Sequence, residues 1–247
     1  MMAIRLFSSD LDGTLVGDNG STARFREAFE AIPEERRPIL VYNSGRLVDD
    51  IRALIGTVGL PEPDFLIGGV GTMVHDHRAD SPVDGFHDHI RAGFDAAKVA
   101  RVLGDVPDLN YQPKRYQHDF KSSWYLNDAK ESRLSAIRDT LATEGLDVKL
   151  VYSSGRDLDV LPRAADKGAC LSWLCDRLGI AHEEVVVAGD TGNDAAMFEV
   201  PGVRGIIPAN GFDELREIAR ASGNIYEAKG EIADGVIEGL RHFGVPI

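Results

Sequence analysis

Long apolar runs are missing from this sequence. No stretch approaches the roughly 20 consecutive apolar residues that cross a bilayer as a helix. The first residues lead straight into a strand, with no basic segment followed by a signal-type apolar one. A cytoplasmic protein without membrane attachment is expected. Positive charge is short as well: 27 Lys and Arg stand against 40 Asp and Glu, a formal net charge of −13. That balance disfavours nucleic acid and anionic membranes as partners, because both need a basic surface. It leaves room for a small phosphorylated substrate, which a nest of amides and a few cations can hold. Cysteine is scarce, with only Cys170 and Cys175. Five apart, they do not stack on one helix face. Neither a disulfide nor a metal pair is expected, and both read as small buried apolar residues. Internal repeats and low-complexity tracts are absent too.

What is present is ordinary in bulk. A chain of 247 residues, 43% hydrophobic and 27% charged, can bury a core as one large domain or two smaller ones. The informative stretch comes first. Ile4, Leu6, Phe7 and Leu11 form an apolar run of strand length, and Asp10 and Asp12 stand at its carboxyl end before Gly13-Thr14. Burying two carboxylates side by side is costly. A divalent cation removes that repulsion, and Mg²⁺ suits the place as a hard ion taking oxygen ligands between carboxylates and phosphate. Asp-Leu-Asp-Gly is equally an ordinary turn sequence, so the decision rests on stretches further along.

Strands are expected at 37–42 and 63–67, with helices at 22–32 and 48–55, the second closed by Gly56. Strands alternating with helices indicate parallel βαβ units. Residues 68–72 read as a flexible loop. From about Ser81 the alternation stops: a short helix at 98–103, a strand at 120–126, an amphipathic helix at 131–144 and strands at 148–153 and 157–161 make an α+β insertion. The first pattern resumes at Lys167, with helices at 169–178, 195–200, 212–221 and 234–243 and strands at 184–188 and 203–207. The expected fold class is therefore α/β, a parallel-sheet core of 1–80 and 163–247 around an inserted α+β domain of 81–162.

In open α/β sheets, ligands bind beyond the carboxyl ends of the strands. Four polar stretches fall at such places: Asp10 to Thr14, Asn43 to Arg46, Asp166-Lys167-Gly168 and Gly189 to Asp194. Each fits a role in phosphoryl transfer. Asp10 suits the nucleophile and Asp12 the general acid and base. Ser44 and the Gly45 amide suit phosphate oxygens at a helix start. Lys167 can neutralise charge on the transferring group and on Asp10. Asp190 can join Asp10 and Asp12 as metal ligands, with Asp194 behind fixing water. Asn193 can donate to phosphate. Arg46 can face phosphate or pair with an acidic neighbour, and both remain open.

Together these stretches resemble the four motifs of the haloacid dehalogenase superfamily, in order and spanning most of the chain. The insertion resembles the type IIB cap of its sugar-phosphatase branch. The resemblance implies a Rossmann-like core, Mg²⁺ and an aspartyl-phosphate intermediate. Residues 59–64, Gly69-Val70-Gly71-Thr72 and 152–162 narrow it further, since they resemble the sucrose-phosphate phosphatases and the related mannosylfructose-phosphate phosphatases. Those families remove the 6-phosphate from the fructosyl unit of a non-reducing disaccharide. A small sugar phosphate is then the expected substrate, and the glycosyltransferase that makes it a possible partner. A phosphosugar mutase and a broad sugar-phosphate phosphatase stay open as alternatives.

Gly71 and Thr72, near the cap junction, and Lys121 in the cap are candidate substrate contacts; Lys121 resembles a cap lysine of the sucrose enzymes. Trp124 reads as a core residue. Asp157 and Asp159 alternate with Leu158 and Val160 and read as the exposed face of a strand. His75, His77, His87 and His89 have metal-tract composition, but their flanks read as solvated loop.

Overall fold

The computed structural model describes residues 3–220 and 224–247. Among the described residues, twelve strands follow in chain order: β1 (Leu6–Ser9), β2 (Ile39–Asn43), β3 (Phe65–Gly68), β4 (Met73–Asp76), β5 (Ser81–Pro82), β6 (Asn110–Tyr111), β7 (Ser122–Tyr125), β8 (Val148–Ser153), β9 (Asp157–Pro162), β10 (Val185–Ala188), β11 (Arg204–Ile207) and β12 (Ile225–Glu227). The helices are α1 (Asn19–Glu30), α2 (Val48–Val58), α3 (Phe86–Ile90), α4 (Ala96–Leu103), α5 (Glu131–Thr143), α6 (Lys167–Leu178), α7 (Ala195–Phe198), α8 (Asp213–Arg220) and α9 (Ile232–His242). Ala221, expected to end α8, lies outside the described residues. The chain divides into two compact units, Met1–Pro82 with Lys167–Ile247, and Val83–Asp166.

The first unit is built on an eight-stranded sheet in the order β12-β11-β10-β1-β2-β3-β4-β5. It is parallel from β12 to β3, and β4 and β5 add to its edge antiparallel. Successive strand residues point to opposite faces. Phe7 joins the cluster with Phe25, Ile51 and Val236 from α1, α2 and α9. Ser8, on the other face, donates to Met197 Sδ of α7. With both faces covered, β1 and β10 are entirely buried, which is why they read as continuous apolar runs.

Several boundaries move for physical reasons. Helix α1 starts three residues early because the Asp18 carboxylate accepts the Ser21 N–H at 2.6 Å and caps it. Helix α2 runs through Gly56 and ends at Gly59, whose φ of 69° supplies the left-handed cap. The expected solvated loop around His75 is instead the β3–β4 hairpin, and His75 is buried in it. Strands β5 and β12 and helix α3 are too short and polar to show a period.

The second unit carries a four-stranded antiparallel sheet, β6-β7-β9-β8. Its core cluster joins Trp124, Leu158 and Val160 from the sheet to Val99 and Leu103 of α4 and Ile137 and Leu141 of α5. Trp124 is a core residue, as expected, and its indole N–H donates to Ser122 Oγ at 2.9 Å. Asp157 and Asp159 do alternate with buried neighbours, but they are not freely exposed. Asp159 accepts from Ser123 Oγ at 2.6 Å and Asp157 from Gln112 Nε2 at 3.0 Å. Cys170 and Cys175 are buried and form no disulfide. No helix among the described residues is long and apolar enough to cross a membrane.

Candidate active site

The site forms at the carboxyl ends of β1, β2 and β10 and the start of α6. Asp10 is fixed first through its backbone, its N–H donating to Ala188 O at the end of β10 at 2.9 Å. Lys167, the first residue of α6, is fully buried. Its ammonium donates to Asp10 Oδ1 at 2.7 Å, Asp194 Oδ1 at 2.6 Å and Asn193 Oδ1 at 3.1 Å. The next residue must be glycine: a Cβ on Gly168 would collide with the Ala196 carbonyl, so α6 can approach the 192–198 segment this closely only here. Asp194 turns its other oxygen back to the amides of Asp190 and Thr191 at 2.9 and 3.1 Å, closing the Gly189–Asp194 loop on itself. Asp190 takes one hydrogen bond from Thr14 Oγ1 at 3.1 Å. Gly13 has a φ of 84°, and a Cβ there would strike the Asp190 carboxylate. The Asp12-Gly13 turn therefore packs directly on Asp190.

Asp10, Asp190 and Asp194 present carboxylate oxygens all within 4.8 Å of one another, and all three residues are buried. One ammonium faces three carboxylates. Burial raises the Asp10 carboxyl well above its usual range; Lys167 pulls it back, and Asp194 and Asp190 push it up again. Asp190 is pushed up to about 7, by burial first and then by Asp194, with the Thr14 hydroxyl opposing. Burial lowers Lys167, but Asp10 and Asp194 more than reverse this and hold it above its ordinary value. A buried, hard-oxygen donor set with surplus negative charge fits a divalent cation.

The other expected residues are placed as follows. The Asp12 carboxylate stands outside this cluster and accepts both Arg46 Nε at 2.6 Å and a second guanidinium nitrogen at 2.7 Å. Arg46 thus pairs with an acidic neighbour. Ser44 is buried. Its N–H donates to Ile67 O at 2.9 Å and its hydroxyl accepts from Arg46 N at 3.2 Å. A Cβ on Gly45 would sit 3.9 Å from Asn193 Nδ2, so the Ser44-Gly45 turn lies beside Asn193. Gly71 and Thr72 belong to a loop whose residues 69–71 all have positive φ, the β-branched Val70 among them at 59°. That is a rare conformation for valine. Gly69 N–H donates to Arg46 O at 2.8 Å and Val70 N–H to Ser44 O at 3.1 Å, so this loop clamps the 44–46 turn. The Thr72 hydroxyl is spent internally on Gly69 O at 2.9 Å. Lys121 lies in the second unit, buried, donating to Ser123 Oγ at 2.6 Å and Tyr116 O at 3.2 Å and paired with Asp159 at 3.0 Å.

Sequence reasoning assigned no role to Thr14, Val70, Asn43 or Asn210. Asn43 Nδ2 donates to Lys167 O at 3.0 Å and so holds the start of α6. Thr14 and Asn43 stand within the first and second of the four motifs, a usable signal; Val70 and Asn210 act through backbone groups, which leave none.

The model of the sucrose-6F-phosphate phosphohydrolase family matches residues 3–244. The mannosylfructose-phosphate phosphatase of Agrobacterium fabrum is 49% identical over 99% of this chain and 99% of its own. Sucrose-phosphatase 1 of Nicotiana tabacum is 32% identical over 96% of this chain, which spans 58% of the tobacco protein's length. Among solved structures, the sucrose-phosphatase of Synechocystis in complex with sucrose and phosphate superposes with a TM-score of 0.89 over 98% of both chains at 28% identity. A subclass IIB sugar phosphatase, at 14% identity and a TM-score of 0.70, shares the fold. The chain belongs to the sucrose-6F-phosphate phosphohydrolase family and is a phosphatase of the haloacid dehalogenase superfamily.

Proposed function

We propose that this phosphatase removes the 6-phosphate from the fructosyl unit of a non-reducing disaccharide phosphate, with mannosylfructose 6-phosphate ahead of sucrose 6-phosphate. The observation that carries this reading is the Lys167 ammonium bridging Asp10 and Asp194, in a chain matched along nearly its whole length by a mannosylfructose-phosphate phosphatase. Asp10 attacks phosphorus, the bond to the sugar oxygen breaks, and Asp12 delivers a proton to that oxygen. Water then attacks the aspartyl phosphate, Asp12 takes its proton, and the bond between phosphorus and Asp10 breaks to free phosphate. Lys167 pulls the buried Asp10 carboxyl back toward ionisation and offsets charge on the transferring group. Ser44, the Gly45 amide and Asn193 hold phosphate oxygens, and Arg46 joins them by releasing Asp12, its partner in the absence of substrate. Asp10, Asp190 and Asp194 would hold Mg²⁺, while the Asp12 carboxylate, outside that cluster on Arg46, is left to the proton transfers; bound there, the ion supplies charge neutralisation for the phosphoryl oxygens.

The unit of residues 83–166 is assigned the choice of sugar, with Lys121 as its candidate contact; Gly71 and Thr72 are the candidates in the other unit. The reaction is read as cytoplasmic, and the glycosyltransferase that makes the disaccharide phosphate as the partner. The test is phosphate release with Mg²⁺ from mannosylfructose 6-phosphate, sucrose 6-phosphate, fructose 6-phosphate and mannose 6-phosphate. A preference in kcat/KM of about 100-fold for one disaccharide phosphate is expected. Slow, even release from all of them would overturn the substrate and leave the chemistry standing.

A further inference from the structure

Asn210 lies in the Pro208-Ala209-Asn210-Gly211 turn after β11. Its side chain bonds to backbone groups rather than to the carboxylates, yet the turn is tied to their supports on three sides. Asn210 Nδ2 donates to Gly13 O at 2.8 Å, gripping the turn between Asp12 and Thr14. Its Oδ1 accepts the Ile232 N–H at 2.7 Å. Two residues on, the Phe212 N–H donates to the carbonyl of Asp190 at 2.8 Å, and one residue before, Ala209 N–H donates to Gly230 O at 2.9 Å. Ile232 opens α9 with a φ of 49°, a position a β-branched residue seldom takes. Its side chain fills the space beside Gly17, where a Cβ would stand 3.0 Å from Ile232 Cδ1. A short strap thus fastens three things: the first aspartate turn, the backbone of Asp190 and a strained helix start. Only a side chain with a donor and an acceptor on one short stem meets both Gly13 and Ile232 at once.

The consequence follows from the contact between Gly13 and Asp190. A Cβ on Gly13 would stand 2.2 Å from Asp190 Oδ2, so the carboxylate occupies the space beside this turn and no side chain fits. Any shift of the Gly13 carbonyl moves the turn against that carboxylate, and with it the gap between Asp190 and Asp10. We propose that Asn210 is a positioning residue that sets the spacing of Asp190 against the Asp10–Gly13 turn and thereby the affinity of the carboxylate cluster for a divalent cation. This rests on the reading of Asp10, Asp190 and Asp194 as a cation site.

The test is calorimetric titration of the full chain with Mg²⁺, without substrate, at a temperature well below the unfolding midpoint. Wild type is compared with Asn210→Leu, a neutral near-isostere lacking both hydrogen bonds, and with Asn210→Asp, which keeps the acceptor for Ile232 and loses the donor to Gly13. At least tenfold weaker Mg²⁺ binding is expected in both. In Asn210→Asp this occurs despite an added negative charge that would by itself attract a cation. A residue that only stabilises the fold would lower Tm and leave the Mg²⁺ affinity of the folded protein unchanged. Unchanged affinity in Asn210→Leu overturns the proposal. Should that variant not fold, equal or tighter binding in Asn210→Asp overturns it. Failure of the wild type itself to bind Mg²⁺ removes the cation reading, and this inference with it, and is told apart because it precedes any comparison of variants.

Discussion

Each unit of the molecule buries a lysine, and the two are neutralised differently. Lys167, with a fully inaccessible side chain, donates to Asp10, Asn193 and Asp194. Lys121, with 6% of its side chain exposed, donates to Tyr116 O and Ser123 Oγ and pairs with Asp159. Both ammonium groups have three acceptors, so neither is short of partners. The difference lies on the acidic side. In the second unit one carboxylate answers one ammonium, and the Ser123 hydroxyl completes it. In the first, Asp10, Asp190 and Asp194 share one ammonium, and the surplus shows as raised Asp10 and Asp190. A balanced buried pair is a structural device; an unbalanced cluster is held together against its own repulsion, which a bound proton or an added cation relieves.

The largest expected effect comes from removing the reacting carboxylate. Asp10→Asn should lower phosphate release by at least about 10³-fold. The same substitution takes one negative charge out of the cluster, so in chelator its Tm should rise, by about 2–4 °C for each kcal/mol of repulsion relieved. A variant that loses activity and Tm together would mean that the cluster is not strained, and the contrast between the units would fail there.

Removing each lysine in turn tests the contrast directly. Lys167→Met leaves three buried carboxylates without a counter-charge and should cost about 3–5 kcal/mol of unfolding free energy. Lys121→Met leaves only Asp159, 13% exposed and still hydrogen-bonded by Ser123, and should cost about 1–2 kcal/mol. Urea unfolding at pH 8 in chelator measures both. Equal losses would show that the number of carboxylates is not what separates the clusters.

The surplus also predicts a pH dependence. Asp190 titrates near 7 in the folded protein, against 3.8 unfolded, and Asp10 is shifted in the same direction. Between those values the folded state holds more protons than the unfolded one, so stability falls as pH rises. Without a divalent cation the urea midpoint should decline from about pH 4 to about pH 7, the window set by Asp190. Saturating Mg²⁺ should flatten the decline, since a cation takes the place of the proton. A midpoint that rises over this window in chelator would contradict the raised carboxyls.

The two clusters also differ in how far they could be read from sequence. Asp10, Lys167, Asp190 and Asp194 were legible because the chemistry dictates residue type at strand ends, and β1, β2 and β10 because strands buried on both faces are apolar throughout. The β3–β4 hairpin was not, since Met-Val-His-Asp hides a half-buried strand, next to the sheet edge, behind polar residues. Asp159 read as solvated because its alternation is correct while its partner, Lys121, comes from another strand's approach. Val70 and Asn210 act on backbone carbonyls and amides, and nothing in residue type records which carbonyl a side chain will meet.

The smallest effect concerns substrate. All three acceptors of the Lys121 ammonium are protein atoms, so a sugar hydroxyl can be bound by Lys121 only by sharing or replacing one of them. Its contribution to binding is then the difference between two hydrogen bonds, about 1–1.5 kcal/mol, or roughly tenfold in KM. Lys121→Met should raise KM for the preferred disaccharide phosphate by about that factor with kcat nearly unchanged. Release from p-nitrophenyl phosphate, which carries no sugar to read, should keep its KM. If KM rises equally for both, Lys121 acts through the folding of its unit; if neither moves, its ammonium only balances Asp159, and the contrast with Lys167 becomes complete.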